Sequence, residues 1–156
     1  MDQMIKIFDG DLLLADTDII AHQVNCRGAF NSGVAKAIRE HDIRIFNDYH
    51  TYCKGKTPDD LIGQVRYFQS DTDAKIYANL FAQKSYGYDG RQYTDIGALR
   101  NCFENLRNFA AHDDMSIAMP YKIGCVRGGA DWETVYSLIE AVFDGMNVEL
   151  WRLDNG

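Results

Sequence analysis

The order of apolar and polar positions along the chain predicts strands that alternate with helices. Short runs that alternate or are largely apolar are typical of strands, and they occur at residues 4–8, 18–25, 62–69, 75–81, 116–119 and 147–152. Apolar residues spaced three and four positions apart are typical of helices, and they occur at residues 34–40, 43–53, 95–111 and 132–143.

Strands separated by helices indicate an α/β domain whose sheet is covered on both faces. We therefore expect a three-layer α/β/α sandwich with a mixed, mostly parallel central sheet. No linker, repeat or low-complexity stretch interrupts the pattern, so residues 1–156 are expected to form a single domain. A monomer is expected as well, although no feature of the sequence determines the oligomeric state.

Two segments carry more detailed expectations. Residues 43–53 are predicted to bury the side of their helix that carries Ile43, Phe46, Tyr49 or His50, and Cys53. The polar stretch that follows, residues 54–60, is predicted to be a loop.

Composition and charge narrow the class of protein. Hydrophobic residues make up 46% of the chain, enough to form a core without disulfides or a metal. The cysteines lack metal-ligand spacing and are expected to be reduced thiols, namely Cys26, Cys53, Cys102 and Cys125. No metal and no cofactor are expected. Because neither a leader nor an apolar span is visible, we also expect no membrane association and a cytoplasmic location. The net charge of -7 argues against a broad nucleic-acid surface.

Two glycine-containing loops join the carboxyl end of a predicted strand to the amino end of a helix. The first loop, residues 26–33, contains Asn31 and Ser32, which are suited to cap the next helix, and the second, residues 124–130, leads to Asp131 as the predicted N-cap of the last helix. Open α/β sheets bind ligands at such strand ends, where unpaired N–H groups attract anions. A tight turn explains either loop alone equally well, whereas two loops together favour an anion site.

The residues in and around these loops resemble a known family. The matching segments are Gly10 to Leu12, residues 22–28 (HQVNCRG), residues 32–35 (SGVA), residues 120–125 (PYKIGC) and residues 128–132 (GGADW). In this order they resemble the macrodomains, and more narrowly the phage and bacterial macrodomains grouped with ADP-ribose-1''-phosphate phosphatases and single-domain ADP-ribosyl glycohydrolases. The resemblance covers nearly the whole chain.

The resemblance implies a site for ADP-ribose or a close derivative, with ADP-ribosylated protein as a further partner. It assigns Asp11, followed by Leu12, to the adenine amino group, while a turn aspartate is the alternative. It assigns to the distal ribose and the diphosphate the residues in and beside the first loop, namely Asn25, Gly28, Asn31, Ser32, Gly33 and Val34. It assigns to the other side of the diphosphate the residues in and beside the second loop, namely Ile123, Gly124, Cys125, Val126, Arg127, Gly128, Gly129 and Ala130. Main-chain N–H groups hold such an anion without a cluster of lysines, which suits an acidic chain.

The resemblance also implies His22, Asn25 and Asp131 as catalytic residues. His22 is suited to proton transfer near neutral pH, with a hydrogen-bonded core histidine as the alternative. Asn25 is suited to contact the distal ribose hydroxyls, with a turn asparagine as the alternative. Asp131 is suited to activate water, with a helix cap as the alternative.

Two positions depart from the glycohydrolase pattern. Gln83 stands where those relatives have a lysine, with Lys84 next to it, and Gly128 stands where they have an aspartate. Gln83 is therefore predicted to bind the terminal ribose. The tyrosines of the following loop either shield that ribose from water or are ordinary surface residues, namely Tyr86, Tyr88 and Tyr93.

Three functions follow from these residues. The first is a hydrolase that removes the 1''-phosphate of ADP-ribose-1''-phosphate. The second is a module that binds ADP-ribose and catalyses nothing. The third is removal of ADP-ribose from protein or nucleic acid with Lys84 as nucleophile, which requires the Lys84 amine to reach the cleft.

Overall fold

A computed structural model describes residues 5–30 and 33–153 of the chain. Within these residues the strands are β1 (Ile5–Asp9), β2 (Ile19–Asn25), β3 (Val65–Gln69), β4 (Ile76–Gln83), β5 (Ile117–Pro120) and β6 (Val148–Arg152). They form one sheet in the order β1-β6-β5-β2-β4-β3, in which every neighbouring pair is parallel except β3 and β4. The predicted mixed, mostly parallel sheet is confirmed.

Helices cover both faces of this sheet. They are α1 (Gly33–His41), α2 (Ile43–Cys53), α3 (Pro58–Leu61), α4 (Ile96–His112) and α5 (Trp132–Val142), and a 3-10 turn is formed by Leu12–Leu14. Ile38 of α1 and Tyr49 of α2 are fully buried in a cluster on one face, and Leu106 of α4 and Ile139 of α5 are fully buried in a cluster on the other. The predicted three-layer sandwich is confirmed. No helix of the described segments is long and apolar enough to cross a bilayer.

The prediction for the buried side of α2 was wrong at its first residue. Ile43 is 48% exposed, whereas Ile45 and Tyr49, four positions apart, are fully buried. The Tyr49 hydroxyl donates to the Asn25 carbonyl at 2.6 Å, and this hydrogen bond favours a rotation of the helix that leaves Ile43 outside.

The predicted loop at residues 54–60 is also corrected, because its end belongs to the short helix α3. Thr57 accepts from the Asp60 amide, and the Asp60 carboxylate accepts from the Thr57 amide. This capping box, followed by Pro58 at the start of the helix, is a local signal that the sequence contains. The predicted cap of α5 is confirmed, since the Asp131 carboxylate accepts from the Thr134 amide at 3.0 Å. The predicted caps of α1, Asn31 and Ser32, lie outside the described residues.

Candidate functional site

A cleft of about 630 Å³ opens at the carboxyl ends of the central strands. β2 and β5 are parallel neighbours, yet the chain leaves β2 for α1 on one face of the sheet and leaves β5 for α5 on the other. The loops diverge at this point and leave a crevice between them, as in other open α/β sheets. Both glycine loops border the cleft.

The second glycine loop, residues 124–130, lies at the edge of the cleft and contains backbone N–H groups without acceptors in the described part of the chain. The N–H groups of Gly124, Val126, Arg127, Gly128 and Gly129 have no acceptor among residues 5–30 and 33–153. The backbone is left-handed at the first and last residues of this set, with φ of +77° at Gly124 and +73° at Gly129. A turn that leaves several backbone N–H groups without acceptors is suited to bind an anion.

Glycine is required at two positions of this loop because the segment Arg91 to Thr94 packs against it. The amides of Tyr93 and Thr94 donate to the Gly128 carbonyl at 2.8 and 3.0 Å. A β-carbon on Gly128 would overlap the Thr94 hydroxyl, and one on Gly129 would lie 2.9 Å from the Arg91 carbonyl oxygen. An aspartate at the position of Gly128, as expected from the glycohydrolase pattern, therefore has no room in this backbone arrangement.

The first glycine loop is held by side chains. The Asn25 amide side chain accepts from the Arg27 amide and donates to the Ala29 carbonyl, both at 2.9 Å. Gly28 faces α2 and its carbonyl accepts from His50 Nδ1 at 2.9 Å, so Gly28 does not line the cleft. Asn25, by contrast, lines the cleft, as do the first residues of α1, Gly33 and Val34.

His22 lies at the floor of the cleft and is only 1% exposed. Its Nε2 is 2.6 Å from Asn79 Oδ1, and the edge of its ring packs against Phe30. Burial lowers the pKa of His22 from 6.5 to about 4, although the hydrogen bond with Asn79 acts in the opposite direction. The imidazole is therefore neutral at physiological pH and holds no additional proton to donate to a leaving group.

The two predicted aspartates differ in location. Asp11 is exposed and lines the cleft, and one of its carboxylate oxygens accepts from the Leu13 amide at 3.0 Å. Asp131 is also exposed but is not a lining residue, and its carboxylate accepts from both the amide and the hydroxyl of Thr134. Asp11 is the only Asp or Glu that lines the cleft within the described part of the chain.

Gln83 and Lys84 point to different places. Gln83 lines the cleft, whereas Lys84 does not. The Lys84 amine lies 2.5 Å from the carboxylate of Asp59 in α3, and this neighbour raises the pKa of Lys84. Consecutive residues of an extended segment face opposite sides, which explains the difference. The lysine is consequently not available in the cleft in this conformation.

The loop after β4 and the second glycine loop meet above the end of β2. Because β2 lies between β4 and β5 in the sheet, a contact between the loops that follow β4 and β5 must cross the end of β2. The Arg127 guanidinium lies 4.5 Å from the centre of the Tyr88 ring, and both residues line the cleft. Tyr86 lines it too, while Tyr93 packs against Gly87 and donates to Asp89.

The sequence interpretation missed several residues of the cleft. The opposite end is formed by the end of β6 beside the end of β1, where Trp151 stacks on Phe8 and contacts Gly10. The missed lining residues with substantial side chains are Leu13, Gln23, Tyr121, Lys122, Trp151, Arg152 and Leu153. An aromatic residue at the end of the last strand was the available signal for Trp151. The lining residues that had been predicted are His22, Asn25, Asp11, Leu12, Gly33, Val34, Gln83, Ile123, Gly124, Val126, Arg127 and Gly128.

Comparison with known proteins gives a consistent set of relatives. No family model matches the chain. Two mycobacterial proteins named DNA ADP-ribosyl glycohydrolase, from Mycobacterium tuberculosis and Mycobacterium bovis, are each 30% identical over 146 residues. Each alignment covers 90% of this chain but 39% of the relative, so the chain spans about two fifths of the length of these relatives.

Solved structures share the same arrangement of strands and helices. The macrodomain of Mycobacterium tuberculosis DarG superimposes with a TM-score of 0.81 at 24% identity, covering 96% of this chain and 98% of that one. Thermosipho africanus DarTG in complex with ADP-ribose superimposes with a TM-score of 0.77 at 15% identity, covering 97% of this chain and 42% of that one.

Proposed function

This chain has the macrodomain fold, as its sequence indicated, and from that premise we propose that its cleft binds ADP-ribose. The observation that carries the proposal is the run of N–H groups in the second glycine loop that have no acceptor in the described part of the chain, at the edge of a cleft with the volume of a small-molecule site. Similarity to a structure that contains ADP-ribose supports it.

The two ends of the cleft suit the two ends of this ligand. Asp11 keeps a carboxylate oxygen for the adenine amino group, beside the aromatic surface of Trp151. The diphosphate accepts from the second loop and from the start of α1. The distal ribose then lies near Asn25 and Gln83, beneath Tyr88.

Calorimetric titration with ADP-ribose tests the proposal. We expect saturable binding with one site, and weaker binding of AMP, which lacks the second phosphate and the distal ribose. A chain that gives neither heat nor a thermal shift with ADP-ribose contradicts it.

A hydrolytic activity is the second candidate, favoured by the name of the mycobacterial relatives. Removal of the 1''-phosphate, with His22, Asn25 and Asp131 as the residues to vary, needs no amine nucleophile. The geometry favours binding more strongly, because His22 is neutral and buried and Asp131 caps α5 outside the lining. Glycohydrolysis through Lys84 has the least support, because Asp59 holds the amine.

Turnover assays separate these candidates. We expect ADP-ribose-1''-phosphate and ADP-ribosylated DNA to bind without conversion. Phosphate release that is lost in Asp131→Ala and retained in Glu133→Ala, an exposed acidic neighbour, establishes the phosphatase instead.

A further inference from the structure

We propose that Gln23, acting through Thr94, is the positioning residue that sets the second glycine loop for its ligand. The inference rests on the proposed function, since it concerns the affinity of the same cleft. Gln23 lines the cleft from β2, and Thr94 is almost fully buried just before α4. Neither residue was identified from the sequence.

A chain of hydrogen bonds, which we call the amide relay, joins three parts of the sheet. Gln23 Nε2 donates to Gln83 Oε1 and to Thr94 Oγ1, both at 2.7 Å. Thr94 Oγ1 donates to the Gly124 carbonyl at 2.7 Å, and Gln83 Nε2 donates to the Ser85 carbonyl at 2.8 Å. The relay therefore runs from the end of β4 through β2 to the loop that follows β5.

The direction of the relay is determined by its two ends. The Gly124 and Ser85 carbonyls can only accept, so the Thr94 hydroxyl proton is committed to Gly124. The Thr94 oxygen must then accept from an amide, which orients the Gln23 side chain with its nitrogen toward Thr94. Gln83 in turn presents its oxygen to Gln23. A single orientation of both amide groups satisfies all four bonds.

The relay acts on the backbone of the second glycine loop. The Gly124 carbonyl accepts from Thr94 and also from the Ala130 amide at 3.1 Å, so its carbonyl faces inward at the base of the loop. Space is tight as well, because a β-carbon on Gly124 would lie 2.9 Å from Gln23 Oε1. The N–H groups that lack an acceptor among the described residues belong to Gly124 and to residues 126–129, so their direction depends on this base.

The role of Gln23 in positioning the second glycine loop can be separated from its effect on the stability of the fold. Gln23 Oε1 is buried and has no hydrogen-bond partner among the described residues. Removal of the Gln23 amide group eliminates this unsatisfied acceptor but also deletes the two bonds that Nε2 donates, so a lower midpoint of thermal unfolding is expected in Gln23→Leu whether or not the residue positions the loop. A positioning role predicts a loss of affinity that is confined to ligands that reach the second loop.

The experiment compares ADP-ribose, ADP and AMP by calorimetry on wild type, Gln23→Leu and Thr94→Val. We expect the Kd for ADP-ribose to rise about tenfold in both variants, the loss that corresponds to one hydrogen bond, and the Kd for AMP to rise less than about threefold. Thr94→Ser keeps the hydroxyl and is expected to retain wild-type affinity. Gln64→Leu is the matched control, since Gln64 is a half-buried glutamine whose partners, Tyr52 and Asp60, lie outside the cleft lining.

The changes in Kd and in the unfolding midpoint test the positioning role of Gln23. Unchanged affinity in Gln23→Leu and Thr94→Val, or an equal loss for all three ligands with a lower unfolding midpoint, overturns the positioning role while leaving the proposed function intact. A wild-type chain that binds none of the three ligands overturns the proposed function, and this inference with it.

Discussion

The two glycine loops occupy equivalent positions in the sheet but are built differently. The first is held by side chains of its own surroundings, mainly Asn25, Tyr49 and His50, which pair with several of its carbonyls and with some of its N–H groups. The second is held at its base, by Thr94 and by backbone bonds to Gly128, and its remaining N–H groups have no acceptor among the described residues. A glycine-rich sequence therefore does not by itself make a binding loop. In the described parts of the two loops, the second has the longer continuous run of N–H groups without an acceptor, which favours it as the anion site.

The largest expected effect is a dependence of stability on pH, caused by a buried histidine that packs against the first loop. His22, which packs against Phe30 of that loop, has a pKa lowered from 6.5 to about 4, so the unfolded chain binds a proton in this interval while the folded chain does not. The free energy of unfolding is therefore highest above pH 6.5, and it decreases by about 3 kcal/mol as the pH falls toward 4. Urea unfolding across this range measures the slope.

Two histidine variants test whether His22 causes this dependence on pH. His22→Gln is expected to reduce the slope between pH 4 and 6.5, and His112→Gln, which removes an exposed histidine, is expected to preserve it. An unchanged slope in His22→Gln means that His22 does not titrate as described.

The next effect concerns the second loop. Gly128→Ala introduces a β-carbon that overlaps the Thr94 hydroxyl and lies 2.5 Å from the Gly124 carbonyl oxygen. We expect the loop to move and the Kd for ADP-ribose to rise by about 10- to 100-fold, which corresponds to the usual cost of overpacking. Gly97→Ala in α4, where the β-carbon meets only an ordinary contact, is the control and should bind normally. Equal affinity of the two variants contradicts the tight packing of this loop.

Removal of one bond from the first loop should have a smaller effect of a different kind. Tyr49→Phe deletes the hydroxyl that donates to the Asn25 carbonyl and leaves the ring in the core. The expected result is a loss of about 1 kcal/mol in the free energy of unfolding, with the Kd for ADP-ribose changed less than about threefold. Tyr52→Phe, which also loses a hydroxyl bond but away from the cleft, is the reference. A large loss of affinity without loss of stability in Tyr49→Phe reverses the contrast between the loops.

The smallest effect is expected above the end of β2. Tyr88→Ala removes the contact with Arg127, which at an exposed position contributes about 0.5 to 1 kcal/mol. The Kd for ADP-ribose is therefore expected to rise about two- to fivefold, as measured by calorimetry. The control is Arg91→Ala, because Arg91 lies over Tyr93 outside the cleft lining. A loss in Arg91→Ala as large as that in Tyr88→Ala indicates a general effect of the loop.

Much of the fold could be predicted from the sequence because the spacing of apolar residues and the helix caps are local signals. Apolar spacing located α4 and α5, and Asp131 was identified as a helix cap from its position before an apolar run. The rotation of α2 was not readable, because it depends on a hydrogen bond between Tyr49 and a strand that lies 24 residues away in sequence.

The site was readable in part for the same reason. The glycine loops and Asp11 are local motifs, and they line the cleft. Gln23, Thr94 and Trp151 were missed because the order of the strands in the sheet brings them to the cleft, and no pattern in one segment reports that order. Asp131 shows the limit of such local motifs, because an aspartate directly before an apolar run fits both a helix cap and a catalytic acid.

Amide chemical shifts report directly on whether the second glycine loop holds the diphosphate. On titration of isotope-labelled protein with ADP-ribose, we expect the largest amide shifts at residues 124 and 126–129, with smaller shifts in the first loop at residues 27–29. Saturable binding that leaves the amides of residues 124 and 126–129 unshifted contradicts the claim that this loop holds the diphosphate.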